Sequence, residues 1–136
     1  DRIGPDSILG GYAWRRMLDA GVVLANGSDF PVELSNPFHG LYASVTRQGR
    51  DGEPDGGWYA DQSLTRAEAL HSFTLAAAYA ARQEDRLGSL EPGKWADFIV
   101  IDRNYFTIPA SEIDDIVVLE TWVGGRQAYQ RQEDLQ

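Results

Sequence analysis

The sequence predicts an α/β fold in which a helical first part precedes a β-rich second part. An apolar run without alternation, at 22–25, is typical of a strand that is buried on both faces. Helix-start signals open two longer segments, at 37–47 and 65–82. Apolar runs rich in β-branched residues, at 98–101 and 117–123, then favour strands. The predicted elements therefore change once along the chain, from helices to strands.

The first predicted helix covers residues 7–20, with Ser7 as its cap and Gly21 at its end. The run at 22–25 follows directly and is predicted to be a strand of a parallel sheet covered by helices. It is followed by loop chemistry, so Asp29 is predicted to lie at the C-terminal edge of that strand.

The second predicted helix covers residues 37–47, with Asn36 as the N-cap and Pro37 at the first helical position. Residues 48–62 are polar and hold four glycines and a proline, which indicates a surface loop. The third helix is predicted to begin at the capping box of Thr65 and to end near residue 82.

In the β-rich part, the dipeptide Gly124–Gly125 links the run at 117–123 to residues 126–129. This spacing predicts a hairpin with a two-residue turn. The polar residues 130–136 are predicted to form a frayed tail.

The composition excludes several classes of function. Twelve basic residues against 21 acidic residues give a net charge of −9, which disfavours nucleic acid and anionic membranes as partners. The absence of cysteine excludes disulfides, thiolate zinc sites and a cysteine nucleophile. With only two histidines, a metal site built from this chain alone would be poor in ligands.

Asp29 is the principal candidate for chemistry. In α/β barrels, active sites assemble at the C-terminal ends of the strands. A carboxylate there can bind a cation and accept a proton from water that the cation has acidified. The same position also suits an Asx-turn or capping residue after a strand, and on position alone that role is the commoner one.

Two segments resemble signatures of one enzyme superfamily. Residues 27–31 read GSDFP and resemble the Gly-Ser-Asp-x-Pro segment that ends the eighth barrel strand of metal-dependent amidohydrolases. Residues 88–102 read GSLEPGKWADFIVID and resemble the point where those chains leave the barrel and enter a small β-sandwich. Residues 27–33 and 36–47 look like the long-chain branch that includes N-substituted formamide deformylases. The resemblance covers nearly all of residues 10–130.

The resemblance implies the C-terminal part of a (β/α)8 TIM barrel. Residues 1–82 would supply the last strand and helices, and residues 83–136 strands of the composite β-sandwich domain. The implied enzyme hydrolyses carbon–nitrogen bonds other than peptide bonds, in an amide, formamide or cyclic amide. A divalent metal, zinc in the first place and as one or two ions, would activate water. Asp29 would serve both as metal ligand and as catalytic general base, returning the proton to the leaving nitrogen.

The superfamily also carries a His-x-His pair on its first strand and further histidines on middle strands, and this sequence has neither. Residues 1–136 alone are therefore expected to show no hydrolysis and to bind metal weakly. Expected partners are a small amide-type substrate, the remainder of the barrel and, where strand edges pair, a second copy. The expected location is cytoplasmic.

Other residues are weaker candidates than Asp29. His39 can line a substrate entrance, although an ordinary surface or half-buried role is commoner. His71 is predicted to face the packing side of its helix. Ser28 can orient the Asp29 carboxylate or stabilise the turn. Trp58 and Tyr59 can cover a pocket or anchor the long loop. The rival function is a non-catalytic module whose unpaired β-strand edges serve association.

Overall fold

The computed structural model describes residues 4, 8 and 10–132. Four α-helices and three β-strands occur in chain order within residues 10–132, and each half of that range holds one 3-10 turn. The helices are α1 (Trp14–Asp19), α2 (Pro37–Thr46), α3 (Arg66–Phe73) and α4 (Leu75–Ala80); the strands are β1 (Phe98–Ile101), β2 (Val118–Val123) and β3 (Arg126–Gln130); the 3-10 turns are Ala60–Gln62 and Ala110–Glu112. The predicted change from helices to strands is confirmed.

Helix α1 is shorter than the sequence predicts. It begins at Trp14, and the preceding Ala13 offers no side-chain cap. The predicted cap, Ser7, lies outside the described residues. The end is as predicted, because Gly21 has a φ of 81°, a left-handed conformation that glycine adopts without a steric penalty.

The prediction of a strand at 22–25 is wrong, because the structure has no strand there. Val22 and Val23 are about half exposed, at 46% and 52%. A strand exists through pairing, and within the described residues no neighbouring strand flanks this segment. The segment is instead held against α3, where the Asn26 amide donates to the Ser72 carbonyl at 2.9 Å.

The predicted helix starts at Asn36 and Thr65 are confirmed. Asn36 Oδ1 accepts from the Phe38 amide at 3.0 Å. Thr65 and Glu68 form the complete capping box. The third predicted helix is divided at Thr74, whose hydroxyl donates to the Leu70 carbonyl at 2.7 Å. In a continuous helix the Thr74 amide would donate to the same Leu70 carbonyl. The Thr74 hydroxyl occupies this carbonyl where the helix is interrupted.

The three strands form an antiparallel sheet in the order β1-β2-β3. The predicted Gly124–Gly125 hairpin is confirmed. The Gly124 amide donates to Asp97 Oδ1 at 2.6 Å, and the Gly125 amide donates to the Ala96 carbonyl at 3.0 Å. Across the sheet, Phe98 stacks on Trp122 with ring centres 5.6 Å apart.

A hydrophobic core unites residues from both parts of the chain. Its buried members come from α2, α3, the segment before α3 and the connection between β1 and β2: Phe38, Leu41, Tyr42, Leu64, Ala69, Tyr105, Ile113 and Ile116. The predicted division at residue 82 stays a prediction. No helix in the described part of the chain has the length and apolar character needed to cross a bilayer.

Candidate active site

Asp29 lies where a segment without helix or strand ends and a turn begins. Residues 22–28 run without helix or strand and are anchored by Asn26, whose side-chain amide donates to Ser72 Oγ at 3.0 Å. Asp29 then takes a left-handed conformation with a φ of 52°, and its carbonyl accepts from the Val32 amide at 2.8 Å. Main-chain geometry alone therefore closes this turn.

The Asp29 side chain is exposed. Among the described residues, no hydrogen bond or ion pair engages its carboxylate, so it makes neither an Asx-turn nor a cap in this structure. Ser28 is half-buried and makes no bond to it. The carboxylate is thus available to bind a cation or to accept a proton.

The chain does not complete a metal site by itself. Within the described residues, no group of three or more His, Cys, Asp or Glu side chains lies close enough to hold an ion. An exposed carboxylate without a protein partner fits a metal ion as one ligand. The described residues therefore fit the predicted metal through Asp29 and supply no complete set of ligands.

A cavity of about 530 Å³ adjoins the segment that carries Asp29. Ser28 and Glu33, on either side of Asp29 in the sequence, line it, whereas Asp29 does not. The rest of its wall comes from α2 between Pro37 and Ala43, from residues 48–50 and from Phe73, with Gly27, Leu34 and Asn36. A Cβ atom at Gly40 would lie 2.5 Å from Phe73 Cζ, so this glycine allows the ring to reach the helix backbone.

His39 lines this cavity, and its role at a substrate entrance stays a prediction. It is half-buried, and its Nδ1 is buried without a hydrogen-bond partner in the described part of the protein. Tyr42 and Gln48 also line the cavity, and the sequence does not predict either of them as a site residue. The Tyr42 hydroxyl donates to Gln48 Oε1 at 3.3 Å. The three-residue spacing of His39 and Tyr42 on one helix is the signal that would have found Tyr42.

One prediction on burial is wrong. His71 is exposed on α3 rather than packed. It borders a groove lined by Leu18, by residues 21–24 and by Ala67, Glu68 and Ser72 of α3. Glu84 is half-buried, and its Oε2 is buried without a partner among the described residues.

The aromatic pair in the long loop is anchored to the end of α2. Arg47 Nε donates to the Trp58 carbonyl at 3.0 Å, and its guanidinium lies 5.0 Å from the centre of the Trp58 ring. Tyr59 packs edge-on against Trp58. Burial lowers the pKa of Arg47 from its ordinary value. The anchoring role predicted for this pair is present, and a role as a pocket cover stays a prediction.

Comparison with known proteins identifies the family. Residues 1–129 match the amidohydrolase family model. The chain is 36% identical to Protein LONG AFTER FAR-RED 3 of Arabidopsis thaliana, over 87% of this chain and 20% of that protein. It is 34% identical to the N-substituted formamide deformylase of Arthrobacter pascens, over 86% of this chain and 21% of that enzyme.

A solved structure gives the same result for the fold. An amidohydrolase from Thermotoga maritima MSB8 superimposes with a TM-score of 0.65 and 22% sequence identity, over 88% of this chain and 26% of that one. The chain therefore belongs to the amidohydrolase family, as the sequence motifs predict. It spans about a fifth of the length of the two relatives named above.

Proposed function

We propose that this chain contributes to a metal-dependent hydrolase of carbon–nitrogen bonds other than peptide bonds. The substrate would be an amide, a formamide or a cyclic amide. The observation that carries the proposal is the Asp29 carboxylate, which is exposed and without a partner among the described residues, and which follows a segment that has neither helix nor strand. The similarity to an N-substituted formamide deformylase supports the class of bond.

Asp29 has two roles in this proposal. Its carboxylate would be one ligand of a divalent metal, zinc in the first place, as one or two ions. When bound, the metal supplies a Lewis acid that lowers the pKa of water towards neutrality. Asp29 would accept the proton of the attacking water and return it to the leaving nitrogen.

The architecture that goes with this function is a TIM barrel flanked by a β-sandwich. In that arrangement, residues 22–28 would gain neighbouring strands on both sides and become the last barrel strand. The half-exposed Val22 and Val23 would then be covered. Residues 83–136 would add β1, β2 and β3 to the composite sandwich. A cytoplasmic location stays a prediction.

The test uses the full-length protein that contains residues 1–136, assayed on small amides with and without a metal chelator. Asp29→Asn should lower kcat by at least about a hundredfold, because it removes a general base. Asp55→Asn is the matched control, since Asp55 is also an exposed aspartate. Full activity in Asp29→Asn, or hydrolysis that survives metal removal, would contradict the proposal.

A second candidate function is association through strand edges. Both β1 and β3 are edge strands, and exposed apolar residues lie on or beside the sheet: Ile99, Val100, Val123 and Tyr129. Unpaired edges of this kind are templates for pairing with another chain. Sedimentation of the 136-residue chain measures this directly. A species at the monomer mass of 15.1 kDa over the whole concentration range would exclude the association function.

A further inference from the structure

Asn26 and Gly27 form a dipeptide whose two halves can react with each other. When the main-chain nitrogen that follows an asparagine attacks the side-chain Cγ, a succinimide ring closes and ammonia leaves. The reaction is intramolecular, so the two groups are always near one another. A glycine in the second position favours it most, because glycine has no side chain to crowd the ring and leaves the backbone least restricted.

The Gly27 nitrogen is free to attack. Gly27 is exposed and lies in the segment that has neither helix nor strand. Its N–H donates to no acceptor among the described residues. Within the described part of the chain, no atom lies within 4 Å of the position that a Cβ would take. Neither a main-chain hydrogen bond nor close packing therefore holds this nitrogen away from Asn26.

The Asn26 side chain, in contrast, is restrained by Ser72 of α3. Asn26 Nδ2 donates to Ser72 Oγ at 3.0 Å, and the Asn26 main-chain amide donates to the Ser72 carbonyl at 2.9 Å. Ser72 is buried, and its hydroxyl is oriented by donating to the Ala69 carbonyl at 2.7 Å. Nδ2 is the atom that leaves as ammonia, so the reaction has to break its bond to Ser72 Oγ.

We propose that Asn26 is a site of spontaneous deamidation and that Ser72 slows the reaction. The Gly27 nitrogen loses its proton to solvent and bonds to Asn26 Cγ, the Cγ–Nδ2 bond breaks, and Nδ2 takes up a proton and leaves as ammonia. Water then opens the succinimide. Opening at Cγ gives aspartate, and opening at the main-chain carbonyl carbon gives isoaspartate.

Both products remove a hydrogen bond that anchors the segment before Asp29. A carboxylate only accepts hydrogen bonds, so neither product can donate to Ser72 Oγ as Asn26 does. Isoaspartate also lengthens the main chain by one carbon atom. Each product adds a negative charge to the net charge of −9, so ion exchange separates the modified chains from the parent chain.

The two other asparagines of the chain are internal references. Asn36 precedes Pro37, whose nitrogen carries no hydrogen and cannot close the ring. Asn104 is exposed, but it precedes Tyr105, whose bulky side chain is buried. Exposure of the asparagine alone would select Asn104, whereas the nature of the following residue selects Asn26.

The test is incubation of the 136-residue chain in mildly alkaline buffer, followed by mass spectrometry of its peptides. Asn26 should convert to a carboxylate first, while Asn36 and Asn104 stay unchanged over the same period. Fragment ions have to locate the change at residue 26, because the Asp-Gly pairs at 51–52 and 55–56 form the same ring without a final change in mass.

Two variants test the two parts of the proposal. Ser72→Ala should speed the conversion of Asn26 about fivefold, the effect of one neutral hydrogen bond on a barrier. Gly27→Ala should slow it roughly tenfold, because a methyl group crowds the attacking nitrogen. This variant fits the fold, since the Cβ position is open and the φ of Gly27 lies outside the left-handed region. Ser44→Ala, at a serine of α2 that donates to the Gly40 carbonyl at 2.7 Å, is the matched control and should leave the rate unchanged.

Conversion of Asn104 before Asn26, or an Asn26 that stays intact, would overturn the assignment of the site. A parent-like rate in Ser72→Ala would overturn the role of Ser72. A parent-like rate in Gly27→Ala would show that the Gly27 nitrogen is not the attacking group. The inference is independent of the proposed function, because the reaction requires neither a metal nor a substrate.

Discussion

Arg15 and Glu68 form a bidentate salt bridge that joins α1 to the first turn of α3. Arg15 Nη1 donates to Glu68 Oε1 at 2.9 Å, and Nη2 donates to Oε2. Glu68 Oε2 also accepts from the Thr65 amide at 2.8 Å, so the same carboxylate closes the capping box. One side chain thus stabilises a helix start and fixes the neighbouring helix against it.

Stability should fall in acid through Glu68. The hydrogen bond from Arg15, with further bonds from Thr65, lowers the pKa of Glu68 from 4.5 to about 2. The unfolded chain therefore binds the proton first. The contribution of Glu68 is fully present above about pH 4.5 and is lost as the pH falls towards 2. Because the pair is partly exposed, we expect roughly 1 kcal/mol rather than the full value of the shift.

Urea unfolding of the parent chain and of Glu68→Gln at pH 7 and pH 3 measures this contribution. The difference between the two chains should be largest at pH 7 and should shrink at pH 3. Glu33→Gln, at an exposed carboxylate, should show no such difference. A gap between the parent chain and Glu68→Gln that stays constant with pH would contradict the assignment.

Gly88 should not tolerate a side chain. It has a φ of 87°, and a Cβ atom there would lie 2.7 Å from Leu75 Cα and 2.9 Å from Ala78 Cβ. Gly88→Ala should therefore cost backbone strain of about 1 kcal/mol together with a steric clash against α4. We expect a total loss of about 2 to 4 kcal/mol in the free energy of unfolding.

Gly93 provides the control for Gly88. Its φ is 94°, and no atom lies within 4 Å of the position of its Cβ. Gly93→Ala should thus show the cost of the conformation without the clash, about 1 kcal/mol. Equal losses for the two variants in chemical unfolding would show that the close approach to α4 contributes nothing.

The elements that could be predicted from the sequence are those with local causes. The caps at Asn36 and Thr65 need only side chains within three residues, and both form as predicted. The hairpin at Gly124–Gly125 is confirmed for the same reason, since its turn is set by the two glycines themselves.

The elements that could not be predicted depend on distant neighbours. Residues 22–25 have the composition of a buried strand, but within the described residues no strand lies beside them. The exposure of His71 follows from the same cause, because it faces the groove next to this segment. For the site, the motif around Asp29 and the spacing of Tyr42 from His39 are both visible in the sequence, whereas only the fold brings Gln48 to the cavity.

The Tyr105 hydroxyl should stabilise the contact between α3 and the β-rich part of the chain. Tyr105 is buried, and its hydroxyl donates to the Arg66 carbonyl at 3.1 Å. Tyr105→Phe should lower the free energy of unfolding by about 1 kcal/mol, the value of one neutral hydrogen bond. Tyr129→Phe, at an exposed position on β3, should leave it unchanged. Equal unfolding free energies for the parent chain and Tyr105→Phe would rule out a stabilising role for the hydroxyl.

Tyr105 should also make the fold less stable at alkaline pH. Burial raises the pKa of Tyr105 from 10.0 to about 12. The unfolded chain therefore loses this proton first, and the stabilisation is present below pH 10 and is lost as the pH rises towards 12. Absorbance titration of tyrosinate should show a group that ionises near pH 12, which is missing in Tyr105→Phe. A group near pH 12 that persists in that variant belongs to another residue.

Asp29 should be dispensable for folding. Its carboxylate contacts no partner among the described residues, and its φ of 52° lies in the region where Asn is better tolerated than most residues. Asp29→Asn should therefore keep the free energy of unfolding within about 0.5 kcal/mol of the parent chain. Asp29→Val should lose about 1 kcal/mol or more, because a β-branched side chain is strained at this φ. Chemical unfolding of the three chains separates these cases. A large loss of unfolding free energy in Asp29→Asn would show that the carboxylate stabilises the fold. In that case, a loss of hydrolysis in the same variant would no longer identify a chemical role for Asp29.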